Sequence, residues 1–209
     1  MVTIITQERE DYLKTIYELE LEESPVRTTI IAKALGVEPA SVTGIIKRLA
    51  ELGLANHQPY RGVTLTEEGR KAALRVIRRH RLVELYLIKA LGYSWDEVHE
   101  EAEKLEHAVS DLFIERIAAA LGHPQIDPHG APIPTEEGEI AAPSGHALST
   151  LTAGQEGRIT RVNDNDPDLL RYLADLSIRP GAEIKVCEIE PYGGPIRVLV
   201  DGEEQHDLG

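Results

Sequence analysis

Apolar residues recur at helical spacing at the start of the chain. Tyr12, Leu13, Ile16, Tyr17, Leu19 and Leu21 share one face of "ITQEREDYLKTIYELELEE", and Ser24-Pro25 stops the run. The segment "RTTIIAKALGVEPASVTGIIKRLAELGLA" predicts a short helix to Leu35, a turn at Gly36, and a second helix opening near Pro39 and closing at Gly53. Glycine suits the end of the first helix, and Val37 is expected to plug the angle between the two. In "LANHQPYRGVTLTEEG" the apolar pieces Leu54-Ala55 and Val63-Thr64-Leu65 flank the polar tip "HQPYRG", which reads as a β-hairpin. A hairpin directly after a helix-turn-helix predicts a winged helix.

Beyond it, Thr66 starts a long helix through about Leu91, ended by Gly92. Ser94, with Glu97 three residues on, reads as a capping box for a further helix that runs toward Leu121 and bends or breaks on the way. Residues 123–150 are rich in Pro, Gly and small side chains and mark a domain boundary. The period then changes to two: "GRITRVN", "AEIKVCEIE" and "IRVLVDG" read as short strands, interrupted by the helix "DPDLLRYLADLS". The expected fold is mainly α with a C-terminal β part. It comprises a winged helix-turn-helix over residues 1–70, a helical domain over 71–142 and a small β-barrel over 143–209.

Composition narrows the function. A chain of 209 residues can build two modest cores without a disulfide. Its apolar runs are too short for a membrane span, and "MVTIITQERED" lacks the zones of a signal peptide, so a cytoplasmic protein is expected. The single cysteine, Cys187, excludes a cysteine-rich zinc module and is expected to be buried and inert. The net charge of −14 argues against nucleic acid, but residues 27–81 hold 11 Lys and Arg against 4 Asp and Glu. That is a local +7, which leaves −21 for the remainder and confines any phosphate-binding surface to one face.

A helix-turn-helix presents the N-terminal residues of its second helix to base edges while its flanks hold phosphates. Here the exposed positions are Pro39, Ala40, Ser41, Thr43, Gly44, Lys47 and Arg48. The small residues suit thymine methyl contacts and readout of DNA shape. Lys47 and Arg48 are expected on the phosphate backbone, together with Arg27, Thr28, Tyr60 and Arg61.

His80 and Glu84 lie one helical turn apart. His99, Glu103, Glu106 and His107 fall at i, i+4, i+7 and i+8 of the next helical stretch. Imidazole with carboxylate oxygens and no thiolate suits a divalent ion such as Mn(II) or Fe(II). Three functions can use such a site: a metal-switched DNA-binding regulator, an architectural DNA-binding protein with structural metal, and a metalloenzyme with Glu84 or Glu106 as general base.

The run "HRLVELYLIKALGYSWDEVHEEAEKLEHAVSD", with "EDYLKTIYELE", "EPASVTGIIKRL", "YRGVTLTEEG" and "DPHGAPIP", resembles the diphtheria-toxin-repressor family of metal-dependent transcriptional regulators over nearly the whole chain. The resemblance implies a homodimer on double-stranded operator DNA, with a helical dimerisation and metal-binding domain and a ferrous-transport-accessory-like barrel. In such a protein Mn(II) or Fe(II) switches on repression of metal-uptake genes. It implies one metal site at His80, Glu84 and His99, completed from the barrel by Asp166, with Asp164 and Asp168 as alternatives. A second site is implied at Asp11, Glu103, Glu106 and His107. Iron-type members carry methionine and cysteine where this chain has Asp11 and Glu103, whereas manganese-type members carry Asp and Glu. Manganese-type members also place a glutamate where this chain has Lys14. The hard oxygen ligands make Mn(II) the expected metal and Fe(II) the alternative.

Overall fold

A computed structural model describes residues 6–58, 60–142, 145–164 and 166–209. Pro59 in the expected wing tip, Asn165 in the acidic loop, and residues 143–144, where the third domain was expected to begin, lie outside the described residues. The chain divides into two compact units. The first takes the chain up to His80 with 106–109 and 134–140, and the second takes 81–105, 110–133 and 141–209.

In the first unit, α1 (Gln7–Glu20) turns Tyr12, Leu13, Ile16 and Tyr17 inward, each at most 4% exposed. Burial of each such side chain contributes roughly 1.5–3 kcal/mol. The helix-turn-helix follows as α2 (Thr28–Leu35) and α3 (Pro39–Glu51), bent 110° from one another. The turn exists because Gly36 takes a left-handed conformation (φ 64°), which lets the Val37 N–H bond back to the Ala32 carbonyl oxygen at 3.0 Å. Pro39 then starts α3 with its φ already helical. Val37 is 38% exposed and does not fill the angle. Ile31, Val42, Ile46 and Leu49, all fully buried, do that instead.

The wing is the antiparallel pair β1 (Ala55–Gln58) and β2 (Gly62–Leu65). The Thr66 hydroxyl accepts the Gly69 N–H at 3.1 Å and so opens α4 (Glu67–Leu91), the 25-residue helix that runs through both units.

In the second unit the helix expected to run toward Leu121 is two helices, α5 (Val98–Leu105) and α6 (Asp111–Ala120). The Ser94 hydroxyl donates to the Glu97 side chain (2.7 Å). Ser110 is the working cap, accepting the Phe113 N–H and stabilising α6 by about 1 kcal/mol. The C-terminal module is one antiparallel sheet of β3 (Glu156–Arg158), β4 (Glu183–Ile189), β5 (Ile196–Val200) and β6 (Glu204–Leu208), in that order, with α7 (Pro167–Asp175) inserted after β3. Ile184, Val198 and Val200 form its core with Ile178 and Ala182. "GRITRVN" supplies a strand only as far as Arg158. Cys187 is half-buried, because a register shift between Val186 and Glu188 interrupts the alternation of β4 there.

Candidate functional site

The first unit assembles a cluster from α1, α4 and the 106–109 segment. Asp11, Glu106 and His107 each bring a ligand atom to within 4.8 Å of the others. Helical spacing puts Glu10, Asp11 and Lys14 within one turn of α1. The His107 ring lies between two of them, with Nδ1 2.7 Å from Glu10 Oε2 and Nε2 2.7 Å from Asp11 Oδ1. Glu10 is itself held by Arg79, 3.3 Å away. When Nδ1–H is donated to Glu10, Nε2 presents its lone pair to the space between Asp11 and Glu106, the arrangement a metal-ligating histidine needs.

Glu106 is 1% exposed, and two groups hold it in place. His80 Nδ1 is 2.5 Å from Oε2, and the Lys14 ammonium donates to both oxygens at 3.1 and 3.2 Å. Burial pushes the Glu106 carboxyl up, yet the His80 hydrogen bond and the Lys14 charge outweigh it and hold the group below its ordinary value. Asp11 goes the other way. Burial raises it, and the neighbouring His107 offsets only part of that rise.

His80 and Glu84 stand one turn apart on α4, as expected, and both are buried. In the second unit Glu84 meets His99, with Oε1 3.3 Å from Nδ1. Glu103 is placed with the same ring, 3.6 Å from His99 Nε2 and half exposed, rather than with Asp11, Glu106 and His107. The reason is local: Glu103 lies within α5, where i, i+4 spacing returns its side chain over His99, whereas Glu106 and His107 follow the end of that helix.

Of the three carboxylates of the acidic loop, Asp166 has one oxygen engaged with the backbone. It is the N-cap of α7, its Oδ1 accepting the N–H groups of Asp168 and Leu169. Asp168 pairs with Arg171. Asp164 is the one brought to histidine and carboxylate neighbours, together with Glu84, Asp127 and His129. Spacing along the sequence did not single out Glu10, Asp127 or His129. The only available signal for the last two was an Asp and a His two residues apart in a tight "DPHG" turn.

The donor sets of nitrogen and carboxylate oxygen fit a divalent transition ion, and the buried Glu106 and Glu84 are hard to account for as solvated surface. On the opposite function, α3 exposes Pro39, Ala40, Ser41, Gly44, Lys47 and Arg48, with Thr43 half-buried and its hydroxyl 3.3 Å from the Pro39 carbonyl oxygen. Arg27, Tyr60 and Arg61 are exposed, Thr28 partly so. Arg48 pairs with Glu51 at 2.7 Å, so its charge is partly spent within α3.

Three family descriptions match in the same order. Residues 5–63 match the iron dependent repressor N-terminal DNA binding domain, 66–135 its metal binding and dimerisation domain, and 146–209 the FeoA domain. The iron-dependent repressor IdeR of Mycobacterium tuberculosis is 35% identical over 212 residues, spanning 95% of this chain and 91% of that protein. The diphtheria toxin repressor of Corynebacterium diphtheriae is 32% identical over 190 residues, spanning 86% and 84%. A solved manganese-dependent transcriptional repressor in complex with manganese is 43% identical, superposes with a TM-score of 0.89, and covers 96% of this chain and 94% of its own. These relatives are repressors, which leaves the metalloenzyme alternative without support. The chain belongs to the diphtheria-toxin-repressor family of metal-dependent, DNA-binding transcriptional regulators.

Proposed function

We propose that the protein is a cytoplasmic Mn(II)-activated repressor of metal-uptake genes that binds double-stranded operator DNA as a homodimer. The observation that carries the choice of metal is the sulfur-free cluster of Asp11, Glu106 and His107. Hard carboxylate oxygens favour Mn(II) over softer competitors, although raw affinities rise toward Cu(II), so geometry and supply must complete the selection. An ion there ties α1, the first helix of the winged-helix unit, to the segment that follows α5 directly in the chain. Glu103, three residues before Glu106, joins as a further ligand. His80, Glu84 and His99 serve a second ion. Binding shifts the population of α1 orientations toward the one that presents α3 to DNA.

Lys47, Arg61 and Arg27 are exposed for phosphate contacts, and the small residues at the start of α3 for bases. Leu112 and Phe113, 68% and 47% exposed on α6, support an apolar dimer contact. Fe(II) is the second reading, favoured by the 95% span shared with an iron-dependent repressor. The test is an operator mobility shift titrated anaerobically with Mn(II), Fe(II), Co(II) and Zn(II). Mn(II) should act in preference to the others, and DNA binding that is indifferent to metal would sink the proposal.

A further inference from the structure

The wing is rooted on α1 by a side chain that none of the sites above uses. Beside the pairing of β1 with β2, the Thr66 N–H donates to the Leu54 carbonyl oxygen, so Val63 and Leu65 of β2 turn their N–H groups to the opposite edge. Val26 meets the first of these and exchanges both backbone hydrogen bonds with Val63 at 2.9 Å. That bridge is isolated, and the ladder does not continue to Leu65. There the carboxylate of Glu20, the last residue of α1, stands in for the missing strand, its Oε1 accepting the Leu65 N–H at 3.0 Å.

Glu20 is drawn inward to do this. It is half-buried, and burial pushes its carboxyl up, offset only in part by the Leu65 N–H and the Arg70 charge. Arg70 lies on the first turn of α4, and its guanidinium sits 5.2 Å above the ring of the buried Tyr17, one turn before Glu20 on α1. The outer edge of β2 and the helix that follows it are therefore both fixed to the C-terminal end of α1.

A two-stranded hairpin is marginally stable by itself, so its direction is set by what grips its root. Arg61 is exposed near the tip, and its distance from Leu65 along the strand makes a lever of about 13 Å. A tilt of about 10° at the root moves that tip by about 2 Å. Such a shift breaks a phosphate hydrogen bond of roughly 3 Å. Asp11 precedes Glu20 on the same helix by about 13 Å along its axis. One helix thus carries both a member of the candidate metal cluster and the anchor of the wing.

We infer that Glu20 is a positioning residue for DNA binding: its carboxylate fixes the root of the wing to α1, so that α1 and the wing meet DNA in one orientation. The inference rests on the proposed function, in which metal sets the orientation of α1 and Arg61 contacts phosphate.

The test is the slope of log affinity against log salt for a random-sequence DNA duplex, with the full chain at saturating Mn(II). Glu20→Ala should lower the slope by about one, as a lost phosphate contact does, and adding Arg61→Ala to it should lower it no further. Glu20→Gln removes the charge but keeps an oxygen for the Leu65 N–H, so it should restore the parent slope. A role confined to stability would lower the urea midpoint and leave the slope unmoved. An unchanged slope in Glu20→Ala overturns the inference, as does an equal fall in Glu20→Gln or additive losses in the double variant. Should Glu20→Ala not fold, Glu20→Met takes its place, with a side chain of similar length and no oxygen. A fall in Glu20→Ala with Arg61→Ala at the parent slope would take Arg61 off the DNA and leave Glu20 in its role. DNA affinity indifferent to Mn(II) would overturn the metal switch alone, because the slopes of parent and variants remain comparable.

Discussion

Replacing Lys14 by methionine should make the protein bind Mn(II) more tightly and fold less stably without it. The Lys14 ammonium lies 3.1 and 3.2 Å from the two oxygens of Glu106, and the pair is largely buried, with 12% and 2% of the side chains exposed. An ion ligated by Glu106 must displace that ammonium or share the carboxylate with it. At an effective dielectric of about 20 the bare attraction at this distance is about 5 kcal/mol, an upper bound. Desolvation of the ammonium takes back much of it, and His80 continues to hold Glu106 when Lys14 is gone. A net of about 2 kcal/mol is a reasonable share for the ammonium, and at 1.4 kcal/mol per decade that is roughly a thirtyfold gain in Mn(II) affinity.

The metal-free protein should lose a similar amount of stability, because Glu106 keeps its burial and loses its cation. The assays are free Mn(II) measured by electron paramagnetic resonance during titration, and urea unfolding in excess chelator. Unchanged or weaker Mn(II) binding in Lys14→Met would refute the competition, and Lys14 would then be a tolerated neighbour of the bound ion.

Lys47→Ala and Arg61→Ala should each weaken operator and non-specific DNA alike and reduce the slope of log affinity against log salt by about one, as a lost phosphate contact does. A slope equal to that of the unmodified protein would place these side chains off the DNA. Glu103→Cys should raise activation by Fe(II), Co(II) and Zn(II) relative to Mn(II), read as the metal concentration for half-maximal operator binding. If the ratio is unmoved, Glu103 stays with His99 in the loaded protein and does not set selectivity. Gly130→Ala should destabilise the second unit by about 2 kcal/mol or more, measured in urea, because Gly130 has φ 89° and an added Cβ would sit 1.9 Å from the Thr160 carbonyl oxygen. A variant as stable as the parent would show that the turn carrying Asp127 and His129 can shift.

The winged helix was legible because each joint carries its own chemical cause: Gly36 for a left-handed turn, Pro39 for a helix start, Thr66 for a cap. β6 was not legible, since "EQHDL" has no apolar alternation and is a strand only because β5 pairs with it. His80, Glu84, His99, Glu106 and His107 were found because helical spacing repeats along the chain. What spacing could not show was which of them meet. His80 turns to Glu106, a residue 26 positions away, and Glu103 turns to its own helical neighbour. Asp166 was the natural choice in the acidic loop. The same Asp-Pro start makes it a good N-cap and engages its Oδ1, while Asp164 is the one that lies in the cluster.

These clusters differ in what balances their carboxylates, and that difference bears on how metal can act as a signal. At Glu106 a protein cation is already in place, so an entering ion replaces an ammonium, and the net gain on binding is reduced by what Lys14 supplied. At His129 the guanidinium of Arg81 answers Asp127, and Glu84 lies between the rings of His99 and His129. On the proposed function the Glu106 site is tuned for a threshold, because it would fill only when free metal outcompetes a tethered rival. A regulator that reports on metal supply needs a site beside α1 whose occupancy follows the cell's concentration. On this reading Lys14 departs from the manganese-type pattern without being a defect in the site, because it sets the concentration at which the site responds.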